Sequence, residues 1–266
     1  MLNIPEKLGL FDKVVNTSFC IFEKRDFLNR EQYIELQKTF PDISYFTKVE
    51  DKGKKLSFDN KHENFFRFLD ENKAWLDFYK IINSKKTFMK FYNLLRDEFD
   101  KIEERKKLKK INYIDYDYES SIFTKVKKKF YSIFYSNVRI GFQFSLIGNN
   151  CFIPPHSDTV NKLLSLMIYF PDQIENGDNQ YINLGTNFYI KNDNSDEIFD
   201  GWDSKLLSKE DTKKFYENYN ILYKSPFESN KLVGFIKNNQ SWHDVSPFMS
   251  LKDFYRRSIN INFYLV

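Results

Sequence analysis

Five residues in the second half of the chain, Pro154-Pro155-His156-Ser157-Asp158, bring metal-binding chemistry into a very short span. In extended backbone the side chains of residues two apart point the same way, so His156 and Asp158 face one point together. The paired prolines fix φ and favour extended chain just before them, which supports that geometry here. An imidazole and a carboxylate aimed at one point are two of the three groups of a metal site. The third must come from elsewhere, and of the 3 histidines only His62 and His243 remain. His62 lies in a stretch with helical spacing. His243 sits within Ser241-Trp242-His243-Asp244-Val245, after the strand-like run Leu232 to Ile236 and the turn residues Lys237-Asn238-Asn239, in the same half as the pair. The expected ligands are therefore His156, Asp158 and His243.

Two histidines and one carboxylate on one face of iron(II) leave coordination positions open, the arrangement of non-haem oxygenases. A 2-oxo acid can fill two of these through its carboxylate and keto oxygen, leaving the last for dioxygen. The second carboxylate of such a cosubstrate needs a cation, and a planar guanidinium fits it better than an ammonium. Arg256-Arg257-Ser258 supplies one. Arg256 and Ser258 share a strand face, so the hydroxyl can bond the same carboxylate while Arg257 points away.

The elements that must position these groups fall into two regions. Apolar residues from about 23 to 40 (Phe27, Leu28, Tyr33, Ile34, Leu36, Phe40) recur at helical steps and stop at Pro41. A second helical region covers about 62 to 110, with Phe65, Phe68, Leu69, Trp75, Phe78 and Tyr79 opening its apolar stripe. The basic runs at 105–110 and 125–129 read as solvated charge. After about residue 130 the pattern changes to short β-branched and aromatic runs. These predict strands at Ser136–Leu146, Leu163–Phe170, Thr186–Ile190, Ile221–Lys224, Leu232–Ile236 and Ser258–Leu265. The turns are expected at Gly148-Asn149-Asn150, Gly177-Asp178 and Lys237-Asn238-Asn239. So many short strands favour a closed or two-sheet structure that protects their edges. The polar segment 192–220 ends in an expected helix from Lys209 to Tyr219, and its length between strands makes it a candidate lid.

At 266 residues the chain can bury one substantial core, and 41% apolar with 29% charged residues is a globular composition with an aromatic interior of 29 Phe and 17 Tyr. A net charge of +4 falls far short of a nucleic-acid-binding surface. The longest apolar run, Leu163 to Phe170, is too short to span a bilayer, and Met1 to Leu10 lacks the pattern of a signal peptide. A cytoplasmic protein is expected, with Cys20 and Cys151 as free thiols and with neither nucleic acid nor membrane as partner.

Pro155-His156-Ser157-Asp158, Lys162-Leu163-Leu164-Ser165-Leu166, Ser241-Trp242-His243-Asp244-Val245 and Arg256-Arg257-Ser258-Ile259-Asn260 together resemble the iron(II)/2-oxoglutarate-dependent oxygenase superfamily, especially its prolyl-4-hydroxylase-like branch. The resemblance covers roughly 135 to 266 and rests on the order His-x-Asp, His, Arg-x-Ser. It implies an α+β fold: a double-stranded β-helix, or jelly roll, with N-terminal helices packed outside. The chain would be a single oxygenase domain over 1–266, with about 1–130 mainly helical and about 131–266 the jelly-roll core. It further implies iron(II), 2-oxoglutarate and dioxygen, with ascorbate as accessory reductant, and a hydroxylation that releases succinate and CO2. Asp158 stands where the related halogenases carry a small residue, so the chain resembles the hydroxylating members. The interval from His243 to Arg256 is slightly long for the pattern, which keeps Arg257 as an alternative cosubstrate ligand.

Trp242, Phe142, Phe144, Tyr169 and Phe188 are read as core, although aromatic walls would also exclude water. Cys151 reads as a buried strand end, and Gln143 and Tyr169 as within reach of a cosubstrate but without an assigned role. A non-catalytic jelly roll that binds a metal or ligand is the competing class, usually marked by loss of a ligand. A nucleic-acid demethylase of the same superfamily would carry a further downstream Arg, and after Ser258 there is no Arg or Lys. A small molecule is favoured over a protein as substrate, because no peptide-binding module is appended.

Overall fold

Beyond residue 135 apolar and polar side chains alternate in short runs, and each run becomes a strand with one face for a hydrophobic layer and one for a cavity. The computed structural model describes residues 2–49, 55–105, 110–114, 135–148, 151–171, 183–195, 199–202, 207–248 and 254–266. Its first part contains β1 (Lys13–Asn16), β2 (Cys20–Lys24), α1 (Arg30–Lys38), β3 (Thr47–Lys48), β4 (Lys55–Asp59), α2 (Phe65–Glu71), α3 (Lys73–Ile82), α4 (Lys85–Asp100) and β5 (Lys110–Tyr113). The second contains β6 (Tyr135–Ile147), β7 (Ile153–His156), β8 (Lys162–Tyr169), β9 (Thr186–Lys191), α5 (Lys209–Asn218), β10 (Tyr219–Ser225), β11 (Leu232–Ile236), β12 (His243–Val245) and β13 (Arg256–Leu265).

Among the described residues the strands form a large sheet in the order β1-β2-β11-β8-β13-β6-β4-β3, with β5 parallel to β6, and a small sheet in the order β10-β9-β12-β7. From β6 onward the chain winds between them: β6, β8, β11 and β13 lie in the large sheet, and β7, β9, β10 and β12 in the small one. That winding is a double-stranded β-helix, the expected fold.

Helices cover one face of the large sheet. The α3 stripe Trp75, Phe78, Tyr79 and Ile82 is buried at helical spacing, and Ser84 caps α4 by accepting a hydrogen bond from the Thr87 N–H. Trp75 stands edge-on to Phe144 with ring centroids 4.7 Å apart, and Phe65 and Phe91 reach Phe142 and Phe263. These rings belong to one cluster that takes in Ile140, Leu166 and Ile261, so the helices and the sheet share a core. Gly234 on β11 is part of that fit, since a Cβ there would lie 2.2 Å from the Phe22 ring.

The first part departs from the helical expectation in its strands. Residues 20–24 do not open a helix; they pair with β11, with Lys24 opposite Leu232, and α1 begins only where Asn29 accepts from the Glu31 N–H. Strands β2 and β4 thus extend the large sheet on either side, and at five residues each strand gives little periodicity to read. Strands β7 and β12, also absent from the sequence expectation, are shorter still. The other expected strands and the helix after Lys209 occur within a few residues of their expected bounds. Lys106, Lys107, Lys109, the 125–129 run, Asn149-Asn150 and Gly177-Asp178 lie outside the described residues. Among the described residues no helix is long and apolar enough to cross a membrane.

Where β2 meets β11, Lys231 Nζ lies 2.7 Å from Glu23 Oε2, with side chains 1% and 6% exposed. Removing one partner of such a pair leaves a buried charge uncompensated, so Lys231→Ala is expected to cost about 3–5 kcal/mol in urea unfolding. Glu23→Leu combined with Lys231→Met should recover most of that loss, and an unchanged midpoint in the single variant would refute the assignment.

Candidate metal centre

Pro154 and Pro155 hold β7 extended up to its last residue, His156, and β12 begins at His243, which lies opposite His156 in the antiparallel ladder. The two imidazole centroids are 4.3 Å apart. Each ring is fixed in the same way: His156 Nδ1 is 2.9 Å from the Pro154 carbonyl oxygen, and His243 Nδ1 is 3.0 Å from that of Ser241. A carbonyl only accepts, so Nδ1 carries the proton in both rings and Nε2 presents its lone pair. With Asp158 the two rings form a buried trio whose ligand atoms lie within 4.8 Å of one another. The structure therefore brings together all three residues that the sequence singled out.

Asp158 is held from β8. Its Oδ2 accepts from Ser165 Oγ at 2.8 Å, and its Oδ1 lies 2.6 Å from Lys162 Nζ. Burial alone would depress the Lys162 ammonium, but the Asp158 carboxylate outweighs it and the net shift is upward. Neither residue was given a role from sequence. The available signal was a polar Ser165 at an inward strand position among leucines. Ser165→Ala is expected to weaken iron(II) binding about tenfold to a hundredfold, the usual range for a group that orients a ligand, as read by anaerobic metal titration.

Arg256 opens β13 with 2% of its surface exposed. Its Nε donates to the Leu184 carbonyl, and its terminal nitrogens approach Ser258 Oγ at 3.3 Å and Thr186 Oγ1 at 3.4 Å. The guanidinium lies over the rings of Tyr169 and Phe227 at 5.0 and 5.4 Å. Burial pushes its pKa down, opposed by Tyr169. Among the described residues no carboxylate makes an ion pair with it. Arg257 faces the other side of the sheet, 5.9 Å over the Phe40 ring. Thr186 is a further neighbour that the sequence did not reveal, because it becomes one only when β9 crosses beneath β13.

His156, Asp158, His243 and Arg256 line a single cavity of about 440 Å³. Phe235 walls it beside His243 at a ring centroid distance of 4.6 Å, and Phe188 packs against the same imidazole at 6.2 Å. Other candidates fall elsewhere. His62 packs edge-on against Phe58, 5.2 Å away. Phe142 and Phe144 turn their rings to the helices, and Trp242 packs with Phe215 in a separate cluster. Cys20 and Cys151 are buried and form no disulfide with each other. Of the segment 192–220, a candidate lid by its length, the described residues do not line the cavity. Instead α5 is tied to the metal strand: Tyr216 and Tyr189 donate to Asp244 Oδ2 at 2.7 and 2.8 Å, and Asn187 Nδ2 to Oδ1 at 2.7 Å.

No protein-family model and no curated protein sequence matches the chain. Among solved structures it is similar to a prolyl-4-hydroxylase of Pseudomonas putida at 11% identity, over 94% of each chain, with a TM-score of 0.45. It is also similar to the viral collagen prolyl hydroxylase of Paramecium Bursaria Chlorella virus-1, in its 2OG complex, at 8% identity over 92% of this chain and 96% of that one, with a TM-score of 0.41. A third is HygX of Streptomyces hygroscopicus, with nickel, 2-oxoglutarate and hygromycin B bound, at 8% identity over 92% and 83%, with a TM-score of 0.44. These likenesses are distant, and what the cavity can do rests on its own side chains.

Proposed function

We propose that this chain is an iron(II)- and 2-oxoglutarate-dependent dioxygenase that hydroxylates a small molecule. The observation that carries the reading is the pairing, in one cavity, of a buried His-Asp-His set with a buried arginine that has no carboxylate partner among the described residues. Two neutral imidazole nitrogens and one carboxylate suit a divalent iron and leave positions open to exogenous ligands. A buried guanidinium calls for an anion, and a dicarboxylate that reaches from the metal to Arg256 satisfies both groups.

In this reading His156, Asp158 and His243 hold the metal, Arg256 takes the distal carboxylate of 2-oxoglutarate, and Ser258 adds a hydroxyl beside it. Iron(II) with 2-oxoglutarate and dioxygen supplies the oxidation, with release of succinate and CO2 and with ascorbate as accessory reductant. The protein's own part is positional. Ser165 and Lys162 hold the Asp158 carboxylate, the two backbone carbonyls fix the imidazoles, and Phe235 keeps water from the metal face. A cavity of about 440 Å³ suits a cosubstrate with a small second molecule, which supports a small-molecule substrate over a protein.

The test is an anaerobic titration of the metal-free protein with iron(II) and 2-oxoglutarate, following the weak visible metal-to-ligand charge-transfer band. Appearance of the band supports the cofactor assignment. Its absence from correctly folded protein leaves a jelly roll that binds ligands without oxidising them.

A further inference from the structure

Carboxamides from three neighbouring strands line one wall of the cavity: Asn60 just after β4, Gln143 on β6, and Asn260 and Asn262 on β13. Asn262 lies opposite Gly141 on β6 and opposite Ser165 on β8, the residue that holds Asp158, so it stands at the level of the ligand set. Arg256 is further back along β13, where it is opposite Ile147. The strand between the two is roughly 20 Å long at about 3.3 Å per residue. The Asn60 N–H donates to the Phe142 carbonyl at 3.2 Å, which sets Asn60 beside Gly141 and Gln143.

These amides have hydrogen-bonding capacity to spare. Asn262 is 9% exposed and Asn60 5%. Among the described residues the Asn262 side chain makes no hydrogen bond, and the Asn60 amide nitrogen has no partner. Gln143 is fixed in orientation. An ammonium only donates, so the atom that Lys55 Nζ meets at 3.0 Å is the oxygen, and Nε2 is left as a donor. Asn260 Nδ2 donates to the same oxygen at 3.2 Å, which leaves its own oxygen as an acceptor. An enclosed amide without a partner costs free energy, and a ligand that completes it recovers that cost.

The charges enclosed with this wall are already engaged. Lys55 is on Gln143, Lys162 lies 2.6 Å from Asp158, Arg139 has its own partner, and Arg256 is given to the cosubstrate above. Asp59 Oδ1 accepts the Lys61 N–H at 3.0 Å, and Lys61 itself is exposed. An ionic substrate group would find no enclosed counter-charge. A neutral group that both donates and accepts matches the amides on both counts.

We propose that the molecule hydroxylated here is neutral and is held through hydroxyl or carboxamide groups by Asn262, Asn60 and Gln143; this rests on the oxygenase reading. Its bound groups lie against β13 and the Gly141 end of β6, beside the ligand set, while 2-oxoglutarate extends from the metal toward Arg256.

Saturation-transfer NMR on the full chain, loaded with 2-oxoglutarate and with zinc(II) as a diamagnetic ion in place of iron(II), tests this. The probes are erythritol for hydroxyls, malonamide for carboxamides and erythronate as the charged counterpart of the first. At least one neutral probe is expected to receive saturation, with the stronger one naming the group, and erythronate is expected to bind more weakly than that probe. Asn262→Leu should weaken the neutral probe about fivefold, the worth of one net hydrogen bond, with 2-oxoglutarate affinity changed less than about threefold. Its urea midpoint should be equal to that of the parent or higher, because an unpartnered amide gives way to an apolar side chain. Asn60→Leu gives a second reading if Asn262→Leu does not fold. The proposal is overturned if neither neutral probe binds the loaded parent, if erythronate binds more tightly than both, or if the leucine variants bind the probe as the parent does. Failure of 2-oxoglutarate to bind the metal-loaded parent would overturn the oxygenase reading instead, and neutral-probe binding that still depends on Asn262 would keep the amide site.

Discussion

His243→Ala is expected to lower iron(II) affinity by more than about 100-fold and to remove the charge-transfer band at concentrations that saturate the parent. The ring supplies one of three ligand atoms clustered within 4.8 Å, and no other histidine can replace it, since His62 is committed to the Phe58 side of the helical layer. The Ser241 carbonyl that orients the imidazole is backbone, so the substitution leaves the β12 ladder in place. The metal-free variant should accordingly unfold within about 1–2 kcal/mol of the parent. Iron(II) binding equal to that of the parent would show that the trio is not the metal site.

Arg256→Met separates binding from stability. Truncating one partner of a buried hydrogen-bonded charge pair costs about 2–5 kcal/mol, so 2-oxoglutarate should bind roughly 30-fold to several thousand-fold more weakly. The ligand-free variant should be as stable as the parent or more so in urea. The guanidinium is fully desolvated there, with neutral oxygens and two aromatic faces for company. Arg256→Lys keeps the charge but loses the planar fork and should fall between the two. Loss of stability together with unchanged cosubstrate affinity would make Arg256 a structural residue.

The candidate ligand pair was legible in the sequence because the spacing of His156 and Asp158 is local and the proline pair fixes its backbone. His243 followed from the scarcity of histidine in the β half. That Arg256 and Arg257 face opposite sides of β13 was legible from strand parity, and the structure gives them those two faces. What remained hidden was created by pairing across the fold. Thr186 reaches Arg256 over 70 residues, and Lys55 meets Gln143 over 88. Strands β2 and β4 belong to the sheet through partners on β11 and β6, a long-range preference that overrides weak local signals in short segments. The segment 192–220 looked like a lid from its length alone, whereas the contact that places α5 is Tyr216 on Asp244, a side-chain meeting that no periodicity encodes.

The strands that carry the ligands are among the least anchored of the small sheet. β12 has three residues, and β7 is an edge strand of four. An ion shared by His156 and His243 would act on them as a crosslink, closing a loop of 87 residues and joining two segments that otherwise share a short, irregular ladder. Holding that loop closed is work the aromatic core behind the large sheet cannot do, since its rings lie on the opposite face. The cohesion of the molecule is then divided: the helical side is set by packing alone, and the order of the ligand-bearing side rises and falls with metal occupancy.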